Sequence, residues 1–215
     1  MTLLEAPREV TSHWHIQQAI RLLEFDSGRQ LDTVLVYAAV ELRAAIERTL
    51  LELLYVVKEL KLTDGEVRRA RSRQGVDALL QEADTAYRKT LEFTRLLADV
   101  TPGLPPIAAI DTAYLRRRWS DLSELCHAQV EPATTFGSPD RAFQREGFKI
   151  VQHVVDHFVN MYRAGNVGLL ARSSMPDETR TIYDKFVAGD IDAEQAKRML
   201  SIAEPVLRQR MNLSS

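Results

Sequence analysis

The sequence holds a single cysteine, Cys126, which excludes any disulfide within the chain and leads us to expect a reducing compartment. Strand-type alternation is nowhere sustained, so the patterning argues for helices throughout. Glycine-rich phosphate loops, GxSxG elbows, HExxH and CxxC pairs are all missing, which leaves most recognisable enzyme classes unsupported. Neither a cofactor nor a metal is implied. There is no 20–50-residue repeat and no low-complexity tract. The opening MTLLEAPREV has no basic or apolar leader region, so a cytoplasmic protein is expected. Charge of one sign is also lacking. The net charge is −2, and neither half of the chain carries a basic or acidic tail that would steer it to nucleic acid or lipid. The most apolar stretch, Val34 to Val57, contains Glu41, Arg43, Glu47, Arg48 and Glu52. Each costs roughly 2.5–3.5 kcal/mol at a bilayer centre, so no membrane span is expected.

What the chain does have is helical periodicity. A first helix starts near Thr11 or Ser12 and stops at Asp26-Ser27-Gly28. A second runs from Gln30 to Leu62, a rod of roughly 45–50 Å. A third carries Val76, Leu79, Leu80, Ala83, Tyr87, Leu91 and Leu97 on one face. Gly75 weakens its front end, and Asp64-Gly65 reads as a turn. After a break at residues 102–106, a fourth helix spans Asp111 to Val130. The loop EPATTFGSPD separates it from a fifth, Asp140 to Ala164, which ends at Gly165-Asn166. The expected fold is all-α: a bundle of about five main helices around one long central helix (residues 1–170), with a C-terminal helical pair (171–215) as an appendage rather than an independent domain. Pro176 in a first turn and the capping-box form of Asp192 to Gln195 mark the two helices of that pair.

The second helix has two polar stripes. Glu41, Arg48 and Glu52 fall on one side, and the i,i+4 pair Arg43 and Glu47 on the other. Apolar residues fill both arcs between them, Leu35, Leu42, Ile46, Leu53 and Val57 on the broad arc and Val40, Ala44 and Leu51 on the narrow one. Neighbours are therefore expected on both sides. Glu41, Arg48 and Glu52 then form a candidate buried polar network, read either as structural or as the wall of an interface or active site.

On the fourth helix, Tyr114, Leu115, Trp119, Leu122, Leu125, Cys126 and Val130 share a face, where Cys126 reads as a small buried hydrophobe. Arg116, Ser120, Ser123 and His127 line another, suited to a phosphate or carboxylate, or else a solvated or interface face. The segments YAAVELRAAIERTLLELL and LSELCHAQV resemble the HEPN-like helical-bundle proteins of bacterial defence and toxin–antitoxin systems, over two helices. Many members are metal-independent ribonucleases with an R-x4–6-H pair, so the resemblance implies candidate catalytic residues His127, Arg118 and Arg116. The spacing around His127 departs from that pattern. Arg118 lies on the opposite side of the helix, and Arg116 sits about 16 Å along it, so a site would have to be assembled across an oligomer. The one match in the chain, Arg8 to His13, is the kind an arginine-rich chain produces by chance.

His153 and His157 sit i,i+4 on the fifth helix, with Asp156 beside them, and suit two metal ligands, but no acidic ligand stands at metal-site spacing and the stripe reads as a polar face. Trp14, between His13 and His15, is expected to pack. Arg68, Arg69, Arg71 and Arg73 are candidate nucleic-acid contacts without interleaved aromatics, so RNA is a partner the net charge does not support. Long apolar-rich helices in a chain of this size lead us to expect a homo-oligomer or a protein partner, with the C-terminal pair as the contacting arm. Two functions follow: a non-catalytic interaction or regulatory protein of the bacterial cytosol, or a HEPN-like endoribonuclease built around His127. The second needs His127 near a cationic partner at a cleft. The first needs a broad apolar or mixed face.

Overall fold

Helical periodicity accounts for all the regular structure among the described residues, which form nine α-helices and one 3-10 turn with no strand. The computed structural model describes residues 11–59, 61–102, 110–127, 141–163 and 171–210. Arg8, Val130, Gly103 to Pro106, the loop at 131–140 and Gly165-Asn166 lie outside the described residues. No described helix is long and apolar enough to cross a membrane. The chain divides into two compact units, residues 1–49 with 111–160, and residues 50–110 with 161–215.

In the first unit, α1 (Ser12–Phe25) is capped by Thr11, whose hydroxyl accepts the Trp14 amide at 3.2 Å. Its Ser12, Ile16, Ala19 and Leu23 are buried. The turn that follows is organised by Asp26, whose two carboxylate oxygens accept the amides of Gln30 (3.1 Å) and Leu31 (2.8 Å). Arg29 adopts a left-handed φ of 55° and donates to the carbonyls of Leu23 and Asp26 and to Gln152. Because Asp26 captures those two amides, α2 begins at Asp32 rather than Gln30. It ends at Val57 rather than Leu62, and the left-handed Glu59 (φ 53°) lies just beyond that end. Its 26 residues make a rod of about 39 Å.

Within this unit α2 touches every other helix. Glu41 meets His15 of α1, and Glu47 meets Trp119 of α6 (Thr112–His127). Leu35 meets Gly147 of α7 (Ala142–Arg163). A Cβ on Gly147 would lie 2.9 Å from methyl carbons of both Leu35 and Leu125, so glycine lets the three helices meet there. Arg141 ties the start of α7 to Gln30 and Asp32.

The second unit breaks the expected third helix into three. Thr63 and Glu66 form a reciprocal capping box at α3 (Asp64–Ala70), a signal hidden because Asp64-Gly65 read as a turn. The Thr63 backbone N–H, with help from Lys58, holds the Glu66 carboxyl down to about 2. Ser72 caps α4 (Arg73–Glu82) by accepting the Gly75 amide at 3.1 Å. Ala83 ends α4 and starts α5 (Asp84–Val100) with no side-chain cap, at φ −94° and ψ 0°. Gly75 is there for a reason other than helix propensity, since a Cβ would stand 1.7 Å from the Arg69 carbonyl oxygen.

After the 3-10 turn Arg172–Ser174, α8 (Asp177–Ala188) ends on the left-handed Gly189 (φ 85°). Asp192 and Gln195 exchange capping bonds at 2.8 and 3.1 Å to open α9 (Ala193–Arg210). These two helices share a core with α5, built from Phe93, Leu97, Met175, Ile182, Tyr183, Phe186, Ala196 and Leu200. The Thr90 and Tyr183 hydroxyls hydrogen-bond inside it at 2.8 Å, and Lys89 donates to the last-turn carbonyl of Val187 at 2.6 Å. Arg172 holds Asp184 with two bonds of 2.6 Å, which depresses that carboxyl. The C-terminal pair therefore spends much of its apolar surface on α5, and the grouping differs from a division at residue 170.

Candidate functional site

The most distinctive surface in the first unit is the outward face of α1 and α2. On α1 the buried row Ser12, Ile16, Ala19 and Leu23 leaves Trp14, Gln18, Arg21 and Phe25 on the opposite side. Trp14 is 43% exposed and Phe25 77%, and on α2 Tyr37 is 63% exposed and Val40 46%. Four large apolar side chains uncovered on two helices of one unit form a concentration of the kind that marks a contact surface.

Between the two helices runs an open groove of about 360 Å³, lined by Trp14, Gln18, Arg21, Leu22, Tyr37 and Glu41. Its acidic group is held in place. Oε2 of Glu41 lies 2.7 Å from His15 Nδ1, and the edge of the Trp14 ring meets the His15 ring at a centroid distance of 5.0 Å. One cation, Arg21, is exposed on the rim, and no hydrogen bond or ion pair engages it among the described residues. Trp14, expected to pack, does so against His15 and stays 43% exposed. The α1 row nearest the core is filled by Ile16 and Ala19, and position 14 faces away from it. The narrow arc of α2 is likewise uncovered at Val40, although two apolar arcs implied a neighbour on each side.

The other side of α2 docks α6 by polar contacts. Glu47 Oε1 accepts Trp119 Nε1 at 2.8 Å and Arg43 Nε at 3.1 Å, while the Arg43 guanidinium lies 4.5 Å over the Trp119 ring. The i,i+4 pair legible in sequence therefore serves as a cradle for a tryptophan from another helix. Half-buried Cys126 sits beside it. Burial pushes its thiol up, and the nearby Arg43 partly opposes that rise.

The candidate catalytic residues do not converge. His127 is exposed in the last turn of α6 and has no hydrogen bond or ion pair among the described residues. Arg118 is engaged by Asp121 at 2.8 Å and lies 5.3 Å over the Tyr114 ring, and Arg116 is half-buried with interactions of its own. Ser120 is exposed, and Ser123 turns its hydroxyl back to the Trp119 carbonyl at 2.8 Å. Of the candidate polar network, Glu41 is taken by His15, Arg48 is exposed and Glu52 is half-buried; Glu41 and Arg48 belong to the first unit and Glu52 to the second.

In the second unit Arg68, Arg69 and Arg71 are exposed, and the Arg73 side chain lies outside the described residues. A 2.7 Å bond to Glu82 raises the pKa of Arg69, so this arginine is already matched by an acid. Among the described residues no three His, Cys, Asp or Glu side chains group as a metal site. His153 is exposed, and the Tyr114 hydroxyl donates to its carbonyl at 3.3 Å.

His157 stacks on the Tyr114 ring at 4.1 Å, with its Nε2 buried and without a hydrogen-bond partner among the described residues. Burial lowers its pKa from the ordinary 6.5, and Asp111 opposes the shift in part. The folded protein therefore binds this proton less readily than the unfolded chain. The stability this residue contributes is present above about pH 6.5 and is lost as the pH falls below it. A thermal melt series from pH 7 to pH 5 should show the midpoint falling with pH, and the His157→Phe variant should show a flatter profile. An unchanged slope in the variant would remove His157 as the cause.

No family model matches the chain, and neither a curated protein nor a solved structure matches it.

Proposed function

We propose that this chain is a non-catalytic interaction protein of the bacterial cytosol, a regulatory component that works by binding a protein through the outer face of α1 and α2. The observation that carries the reading is the exposure of Trp14, Phe25, Tyr37 and Val40 on α1 and α2, with Trp14 and Tyr37 lining a groove that holds one cation and one carboxylate. Aromatic residues and arginine are the side chains enriched where proteins bind one another. The narrow apolar arc of α2 called for a cover from the sequence pattern onward, and Val40 and Tyr37 on that side are exposed in the chain alone.

A photo-reactive residue in place of Tyr37, introduced in the cell of origin, should give cross-linked protein adducts. The same residue at the exposed Glu146 of α7 should give none. No adduct at position 37 would sink the interaction reading. The purified chain should leave RNA intact in EDTA, with His127→Ala making no difference. Cleavage by the wild type that disappears in His127→Ala and Arg118→Ala variants of matched stability would install the HEPN-like ribonuclease reading in its place.

A further inference from the structure

We infer that the partner on this face is a second copy of the same chain, with α1 packed antiparallel against the partner's α1 about a two-fold axis midway between Gln18 and Arg21. The inference rests on the interaction reading above and names its partner. Its basis is the order of the outward row of α1, in which Trp14, Arg21 and Phe25 are exposed and Gln18 is half-buried. Trp14, Gln18, Arg21 and Phe25 are separated by four, three and four residues, a spacing that is the same from either end. An antiparallel two-fold therefore maps the row onto itself, as an isologous contact requires. Trp14 falls on the partner's Phe25, and Gln18 falls beside the partner's Arg21. Aromatic rings meet aromatic rings at the two outer positions, where a Trp–Phe pair gains from ring geometry as well as from burial. Polar groups meet at the centre, and no like charges are set directly opposite.

The electrostatics agree with this register. Arg21 is exposed without a hydrogen bond or ion pair among the described residues of its own chain. Set at the level of the partner's Gln18, it reaches the groove that Gln18 shares with Glu41. That carboxylate is oriented by His15 and its side chain is 26% exposed, so it can accept a second donor. Two symmetric Arg21–Glu41 pairs would then cross the axis, and the antiparallel helix dipoles add to the attraction. Tyr37 and Val40 widen the apolar surface on the α2 side of the groove.

The test is sedimentation equilibrium of the full chain at pH 8 over the micromolar range. The wild type should dimerise, and Trp14→Ala should weaken the dimer at least ~10-fold, because an interfacial tryptophan is a typical energetic anchor. Arg21→Glu and Glu41→Arg should each favour monomer, since each puts like charges at both crossings. An equal mixture of those two variants should recover a heterodimer, because both crossings then pair opposite charges. No pairing within one chain produces that recovery. If Glu41→Arg fails to fold, the exposed substitutions Trp14→Ala and Arg21→Glu decide the matter. The proposal is overturned by a monomeric wild type, by a dimer that both exposed substitutions leave intact, or by folded single variants that fail to recover on mixing. A monomeric wild type that still cross-links another protein at position 37 removes the second copy alone, whereas the absence of any adduct removes the interaction reading itself.

Discussion

Phe93→Ala is expected to lower stability by about 3–5 kcal/mol. Phe93 is fully buried at the centre of the second unit's core. Its ring meets Tyr183 edge-on at 5.2 Å and Phe186 at 5.9 Å. Removal therefore opens a cavity and strips two aromatic contacts together. It also loosens the packing that holds Tyr183 where its hydroxyl meets Thr90. Chemical denaturation followed by circular dichroism reads the effect, and hydrogen exchange locates it. Protection should fall in α5, α8 and α9. A loss below about 1 kcal/mol would mean that the three helices do not share this core.

Gly75→Ala is expected to cost as much as the upper part of the ~1–3 kcal/mol range for overpacking, because the obstacle is backbone and cannot swing aside. The new Cβ would sit 1.7 Å from the Arg69 carbonyl oxygen and 2.5 Å from the carbonyl carbon. The corner between α3 and α4 has to open, which breaks the Arg69–Glu82 bond and the Ser72 cap. Since α3 buries no residue of its own, the damage should concentrate there. Hydrogen exchange should show protection lost across residues 63–76 while α5, α8 and α9 stay protected. Helix propensity by itself predicts the reverse, because alanine exceeds glycine by roughly 1 kcal/mol in a helix interior. A variant as stable as the wild type, or more so, would therefore refute the close approach.

The two expectations differ in how much of their basis could be seen before folding. Gly75 was visible as a weak point in a helical pattern, but its reason is the carbonyl of Arg69, brought to it by the turn at Ser72. Ala83 looked like one more apolar position of a continuous helix, and Val76, Leu79 and Leu80 before it and Leu91 and Leu97 after it do keep helical spacing. The helices nonetheless part there, with Ala83 capping both. A tryptophan between two histidines, Trp14 does not show in the sequence which side of its helix it takes. Its exposure depends on which α1 row faces the bundle, and that row is the one of Ile16 and Ala19.

The features set by near neighbours were legible in the sequence. The all-helical class follows from the spacing of apolar residues, the start of α1 from Thr11, and the end of α8 from Gly189. The opening of α9 follows from Asp192 and Gln195, and the Arg43–Glu47 pair from its i,i+4 separation. Each of these depends on atoms within about one turn of the same helix, so residue type and spacing suffice. Tertiary structure alone decided that Trp119 enters the Arg43–Glu47 pair, that His15 holds Glu41, and that α8 and α9 share a core with α5. It alone left Trp14, Phe25, Tyr37 and Val40 facing outward. These outcomes join residues far apart in the chain, and their energy comes from surface removed from water on both partners at once, a quantity no local stretch of sequence contains.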